Sequence, residues 1–200
     1  SILKRVRFFM KILITGGAGF IGSHLAEELS AGNHDVVVLD NFSTGRLENL
    51  QSFKSRIKVV ECDISEDREW VQCFNDIDWV FHTAALADIV PSIQHPEQYF
   101  RSNVTGTLNV LRACQESKVK RFVYVASSSC YGVTDTFPTP ETSKIEPQYP
   151  YALTKYMGEE LVMHWAQVYG LPAVSLRFFN VYGPRSRTSK AGSPVGNVCD

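Results

Sequence analysis

The chain has 200 residues, 44% hydrophobic and 20% charged, a balance that excludes a disordered polyelectrolyte and suits one large globular domain. Its formal net charge of −1 gives no electrostatic ground for a nucleic-acid partner. No apolar run is long enough to span a bilayer, so no membrane partner is expected.

SILKRVRFFM (1–10) is basic and partly apolar. It lacks the longer apolar core and small-residue cleavage site of a signal peptide, so it reads as an N-terminal extension. KILIT (11–15) is a short apolar run that ends in glycines and predicts a strand. FIGSHLAEELSAGN (20–33) has apolar residues at helical spacing, with Gly32-Asn33 as a stop. DVVVLD (35–40) predicts the second strand. IKVVECD (57–63), DWVFHTAA (78–85), RFVYVASS (121–128) and PAVSLRFF (172–179) read the same way. Helical patterns lie between them: DREWVQCFN (67–75), EQYFRSNVTGTLNVLRACQES (97–117) and YALTKYMGEELVMHWAQVYG (151–170). The tail, SRTSKAGSPVGNVCD (186–200), is Gly-, Ser- and Pro-bearing and reads as loop.

Strands that are apolar throughout and alternate with helices imply a parallel sheet covered on both faces. Right-handed crossovers make it an α/β doubly wound sheet, which binds ligands beyond the carboxyl ends of its strands. The motifs fall at those ends. In TGGAGFIG (15–22), Gly16, Gly19 and Gly22 are spaced three apart between a strand and a helix. Such glycines permit a positive-φ turn, close approach of a diphosphate to backbone N–H groups, and tight helix–strand packing. A tight βα turn alone would also explain them. Asp40 ends the second strand about 20 residues on, where an acid recognises the ribose hydroxyls of NAD and repels the 2′-phosphate of NADP. Arg46, close by in sequence, softens that preference. Asp63 follows the third strand and suits either the adenine edge or a turn cap.

PQYPYALTK (147–155) sets Pro150 just ahead of a helix, so the helix starts near Tyr151. Tyr149 precedes a proline and is disfavoured in helical geometry. Tyr151 and Lys155 stand at i and i+4 on one face. A free phenol, with its pKa near 10, is a poor base at neutral pH, and a neighbouring ammonium or an oxidised nicotinamide would favour its ionised form. Alone, such a pair is also an ordinary surface contact. VASSSCYG (125–132) adds three hydroxyls at the same edge of the sheet, which would relay a substrate proton or simply cap backbone groups.

Together these segments make the chain resemble the extended short-chain dehydrogenases/reductases, in their nucleotide-sugar epimerase/dehydratase branch. The resemblance runs from about Lys11 to Arg185 through TGGAGFIG, DNFSTGRLENL (40–50), SSSCYG, YALTK and RFFNVYGPR (177–185). It implies a Rossmann domain over 11–185 that carries NAD and the catalytic residues, with the C-terminal substrate domain largely missing and 186–200 a loop leading to it. It places Gly16, Gly19 and Gly22 at the NAD diphosphate and Asp40 at the adenosine ribose, with Phe20, Ile21 and Asn41 also binding the cofactor. Asp63 and Ile64 go to the adenine, and Ala84, Ala85 and Phe178 to the nicotinamide. Asn103 would support the central helix and active-site waters. Ser127, Tyr151 and Lys155 would be catalytic, with Tyr151 and Lys155 also touching NAD. Ser127, Ser128, Ser129 and Asn180 would meet the sugar nucleotide.

The dehydratases of this family carry Asp-Glu directly after the catalytic hydroxyl, where this chain has Ser128 and Ser129. The Glu-bearing motif of the decarboxylating branch is likewise not found. The implied activity is therefore a UDP-hexose 4-epimerase, in which Tyr151 takes the 4-hydroxyl proton as hydride passes to NAD, and hydride returns to the other face of a transient 4-keto sugar. A catalytically idle NAD-binding module, or a reductase or dehydratase of the same family, stays open. The resemblance also implies a homodimer through the helices at 97–117 and 151–170. Five scattered cysteines (Cys62, Cys73, Cys114, Cys130, Cys199) show no metal-ligand spacing and suit a reduced, cytoplasmic protein; no metal is expected. His82 and the tryptophans read as core residues, and His24 and His164 as packing or surface residues.

Overall fold

A computed structural model describes residues 9–66 and 68–186. Most of the N-terminal extension, the tail from 187 and Cys199 lie outside the described residues. Six parallel strands form one sheet: β1 Lys11–Thr15, β2 Asp35–Asp40, β3 Ile57–Glu61, β4 Trp79–His82, β5 Arg121–Ser127 and β6 Ala173–Phe178. Their order is β3-β2-β1-β4-β5-β6. The order reverses direction between β1 and β4, where Thr15 is in register with His82, and this crevice is where such sheets take ligands.

Alternation along the strands sorts the core. Ile12 and Ile14 face one layer with Val36, Val38 and Ala26 of α1 (Phe20–Ala31). Leu13 faces the other, with Leu39, Val80, Phe122 and Tyr124. That second layer is closed by α4 (Gly106–Glu116), through Val110 and Leu111, and by α5 (Pro150–Tyr169), through Val162. The central strands are buried on both faces, as their unbroken apolar sequences require, and the edge strands β3 and β6 are only half covered.

Several expectations are corrected in detail. The helix expected over 97–117 is α3 (Pro96–Phe100), a π turn (Arg101–Thr105) and then α4. The chain stays right-handed throughout, with φ of −61° at Phe100 and −65° at Thr105. The π turn coincides with Asn103, which turns inward and is buried, a common use of such bulges. The helix expected over 67–75 is a 3₁₀ segment, Arg68–Phe74, that drives Trp70 and Phe74 into the core. A second 3₁₀ segment spans Leu47–Arg56, and a short helix not foreseen, α2, spans Ile89–Gln94. The first helix ends at Ala31, and Asn33 rather than Gly32 takes the left-handed conformation, with φ 63°. Gly170 closes α5 with φ 69°, as a helix-terminal glycine does. Of the apolar residues on α5, Val162 is fully buried, while Val168 is 55% exposed.

α5 lies so close to β5 that a Cβ at Gly158 would stand 2.3 Å from the Tyr124 hydroxyl and 3.1 Å from the Asn103 carbonyl. Gly158→Ala is expected to destabilise the fold by about 1–3 kcal/mol, the range for overpacking a dense core. Chemical denaturation would show it as a lower midpoint at unchanged slope.

Candidate active site

All the residues expected to be catalytic or to touch the cofactor or the sugar nucleotide line one cavity of about 780 Å³ at the carboxyl ends of the strands. One end holds Gly16, Gly19, Phe20, Ile21 and Gly22, then Asp40, Asn41, Asp63 and Ile64. The other holds Ala84, Ala85, Ser127, Ser128, Ser129, Tyr151, Lys155, Phe178 and Asn180. Asn103 does not line it; its amide accepts from Leu86 N–H at 2.8 Å and donates to the Leu86 carbonyl and to Thr154. It therefore pins the loop after β4.

The glycine turn follows from sterics. Gly16 has φ 67°, and a Cβ there would sit 2.6 Å from the Ala84 backbone. A Cβ at Gly22 would fall 2.3 Å from the Gly16 carbonyl. Gly19 caps α1, and the first intrahelical bond runs from Ser23 N–H to its carbonyl. The N–H groups of Phe20, Ile21 and Gly22 thus precede the helical ladder, and the first turn carries no acid. This is a ready site for an anion.

Asp40 is buried, and its carboxylate accepts from Ala18 N–H and Phe42 N–H, each at 2.8 Å. Burial raises its pKa, with these two bonds opposing. Asp63 both lines the cavity and caps its turn: it accepts from the Ser65 N–H and hydroxyl and from Asn41. Burial pushes its pKa up, but those bonds outweigh it and the carboxyl is held below its usual range.

At the other end the Tyr151 hydroxyl donates to Ser127 Oγ at 3.2 Å, and Ser127 and Ser129 hydroxyls are 2.7 Å apart. β5 ends at Ser127, and the 3₁₀ turn Ser128–Tyr131 folds Ser129 back onto it. Tyr149 is extended, as a residue before proline should be, and its ring lies nearly parallel to that of Tyr151, centroids 6.3 Å apart. The lysine departs from expectation. Its Nζ donates to the Val125 carbonyl at 2.7 Å and lies 4.4 Å from the Tyr124 ring centroid. Burial drives Lys155 down to about 7, with Glu159 opposing. Tyr151 is raised rather than lowered: burial raises it most, and the Ser127 bond works against that.

His82 is a satisfied core histidine, fully buried and pushed down to about 3 by burial first and Lys155 second. Thr107 spends its one proton on the Asn103 carbonyl at 2.6 Å, so His82 Nε2–H donates to Thr107 at 2.9 Å. His82 Nδ1 then accepts from Thr15 at 2.6 Å. Thr15 was not foreseen as a contributor, nor were Thr83, Asp88, Tyr149 and Phe137 as cavity lining. Threonines at the ends of β1 and β4 were the available signal.

A profile of the NAD dependent epimerase/dehydratase family matches residues 12–196. The chain belongs to this family. A putative UDP-glucose 4-epimerase of Methanocaldococcus jannaschii is 37% identical over 176 residues, covering 87% of this chain and 57% of the relative. A UDP-N-acetyl-alpha-D-glucosaminuronate decarboxylase of Bacillus cytotoxicus is 35% identical over 184 residues, covering 88% of this chain and 56% of the relative. The solved structure of a Thermus thermophilus UDP-glucose 4-epimerase in complex with NAD is 37% identical with a TM-score of 0.84, covering 92% of this chain and 60% of that one. The chain thus spans somewhat more than half the length of these epimerase/dehydratase relatives. Among the described residues no helix is long and apolar enough to cross a membrane.

Burying an amine that ionises in the unfolded chain penalises folding at low pH. For Lys155 the penalty is complete below about 7 and fades as pH rises toward the ordinary value of 10.5. Lys155→Met is therefore expected to raise the thermal midpoint at pH 6–7, and the gain is expected to shrink as pH approaches 10. A gain independent of pH in paired melting curves would contradict this.

Proposed function

We propose that the chain carries the cofactor-binding and catalytic portion, residues 11–185, of an NAD-dependent nucleotide-sugar 4-epimerase acting on a UDP-hexose of the glucose/galactose type or its N-acetyl forms. The observation that carries the reading is the Tyr151–Ser127 hydrogen bond, 3.2 Å, in the same cavity as the glycine turn. NAD, when bound, supplies the reversible oxidation at the sugar C4 on which inversion depends.

The residues present fit that cofactor. The acid-free helix start, with Gly16, Gly19, Phe20, Ile21 and Gly22, suits a diphosphate. Asp40 and Asn41 would hold the ribose, and Asp63 and Ile64 the adenine. Ala84, Ala85 and Phe178 would hold the nicotinamide end. Each Asp40 oxygen accepts one backbone N–H and keeps a lone pair for a sugar hydroxyl.

Tyr151 is the proton-handling group. To accept a proton from the sugar 4-hydroxyl its oxygen must first be ionised, which burial resists. Ser127 opposes that resistance: its hydroxyl accepts from the phenol and would turn to donate to the phenolate, with Ser129 donating to Ser127 in turn. A proton at Tyr151 Oη can thus be taken up or returned without moving heavy atoms. Lys155 acts through its charge, from its anchorage on the Val125 carbonyl. Ser128, Ser129 and Asn180 are the chain's contribution to the sugar nucleotide, and neither serine suits the acid–base work of water elimination.

A second reading is a binding module without turnover, favoured by a phenol held above its usual pKa. The chain is to be incubated with NAD and with UDP-glucose or UDP-N-acetylglucosamine, and the products read by proton NMR. A C4-inverted sugar is expected from the parent, and Tyr151→Phe is expected to slow its formation by about 10²–10⁴-fold while leaving NAD binding in place. NAD binding with no product from either sugar would favour the module.

A further inference from the structure

Tyr151, Lys155 and Glu159 stand one turn apart on the same face of α5. The first two belong to the proposed chemistry; the third is outside it. The Glu159 side chain is 9% exposed, and an acid so buried is retained only where it is paired. Its partner is Arg177 on β6, whose Nε lies 3.0 Å from both carboxylate oxygens. The same guanidinium donates to the Tyr131 hydroxyl at 2.8 Å and lies 5.0 Å from that ring's centroid. The pair therefore joins the catalytic helix, the edge strand and the turn that carries Ser129.

The geometry points to a function for this pair beyond packing: we propose that Arg177 fixes the Glu159 carboxylate one turn below Lys155, and that this carboxylate keeps Lys155 charged at its anchorage on Val125. Glu159 is thus a positioning residue that acts through Lys155, and the proposal rests on the reading of Lys155 as part of the catalytic group.

The surroundings single out Glu159 for this role. Both carboxylate oxygens are held by Arg177, so the effect on Lys155 is through space. Burial works against the lysine charge, and the acid works for it. The other titratable neighbours are mostly neutral near pH 7. His82 from β4 is held neutral, and burial raises Tyr124 of β5, Cys130 of the turn after β5, and Tyr151 and Tyr156 of α5 itself. Tyr131 of the same turn bonds Arg177, and α3 contributes the buried phenol Tyr99. Asp88, from the loop before α2, bears on Tyr151 at the other end of the row. The π turn presents Asn103, which is uncharged, and α4 meets the far end of α5 where Trp165 bonds Gln115.

The test is direct titration of Lys155 in the full chain. Lysine side chains labelled with carbon-13 are followed by NMR against pH, and the Lys155 signal is identified by its loss in Lys155→Met. The parent midpoint is expected near 7. In Glu159→Gln it is expected to fall by about one pH unit or more, the size of effect a nearby opposite charge has on a buried group. Because Glu159→Gln leaves the half-buried Arg177 without its carboxylate, the double variant Glu159→Gln/Arg177→Met, which removes both charges, is measured beside it and is expected to move the midpoint in the same direction but by less, since loss of the more distant guanidinium charge works the other way. An unmoved midpoint in whichever of these folds overturns the proposal. Turnover that survives Tyr151→Phe would sink the catalytic reading instead, and would leave this titration as it is.

Discussion

The seating of α5 against β5 is the constraint on which the tyrosine–serine end of the cavity depends. A helix can approach a strand this closely only where a side chain is missing, and Gly158 leaves that space to the Tyr124 hydroxyl. Tyr124 in turn donates to the Lys155 carbonyl at 3.1 Å, which fixes the helix along its axis as well as its height. With height and axial position set, Tyr151 meets the end of β5 at Ser127, and Lys155 reaches back to Val125 on the same strand. The phenol, the amine and the serines are thus referenced to one strand rather than to loops, which is what the proposed chemistry would require of its reacting groups.

The glycine-turn end of the cavity is built on a different device. There the backbone itself is the proposed recognition surface, and side chains serve to hold it in shape. Asp40 ties the glycine turn to the end of β2 through Ala18 and Phe42. Asn49 adds a bond from its amide to the Ala18 carbonyl at 2.8 Å. Gly45 is required beside them, since a Cβ there would fall 2.8 Å from an Asp40 oxygen. The segment after β2 therefore owes its sequence to support of the turn as much as to any ligand.

Much of this was legible in the chain. The apolar strands, the spacing of Gly16, Gly19 and Gly22, and the start of α5 at Pro150 each rest on local sterics, which sequence reports well. Most of the expected site residues came from the family resemblance that those motifs carry, and the structure gathers them where those elements end. What was not legible depends on burial. A lysine four residues after a tyrosine predicts proximity, but not that the amine would be drawn under the helix to Val125, or that desolvation would outweigh the hydrogen bond to Ser127 at the phenol. The π turn escaped notice because its residues keep helical periodicity; only the tertiary bond from Asn103 to Leu86 reveals why the helix widens there. Likewise Glu159 looks like an ordinary surface acid until β6 brings Arg177 beside it.

The polar row through His82 has one further property. Ala84 N–H donates to Thr15, Thr15 to His82, His82 to Thr107, and Thr107 to the Asn103 carbonyl. Both ends are main-chain groups whose donor and acceptor identities cannot be exchanged, so the whole sequence of bonds points one way. It is not a conduit along which a proton could travel and come back. It is a directional brace across the crevice between β1 and β4, in which each bond polarises the next, so that losing any one member weakens the others.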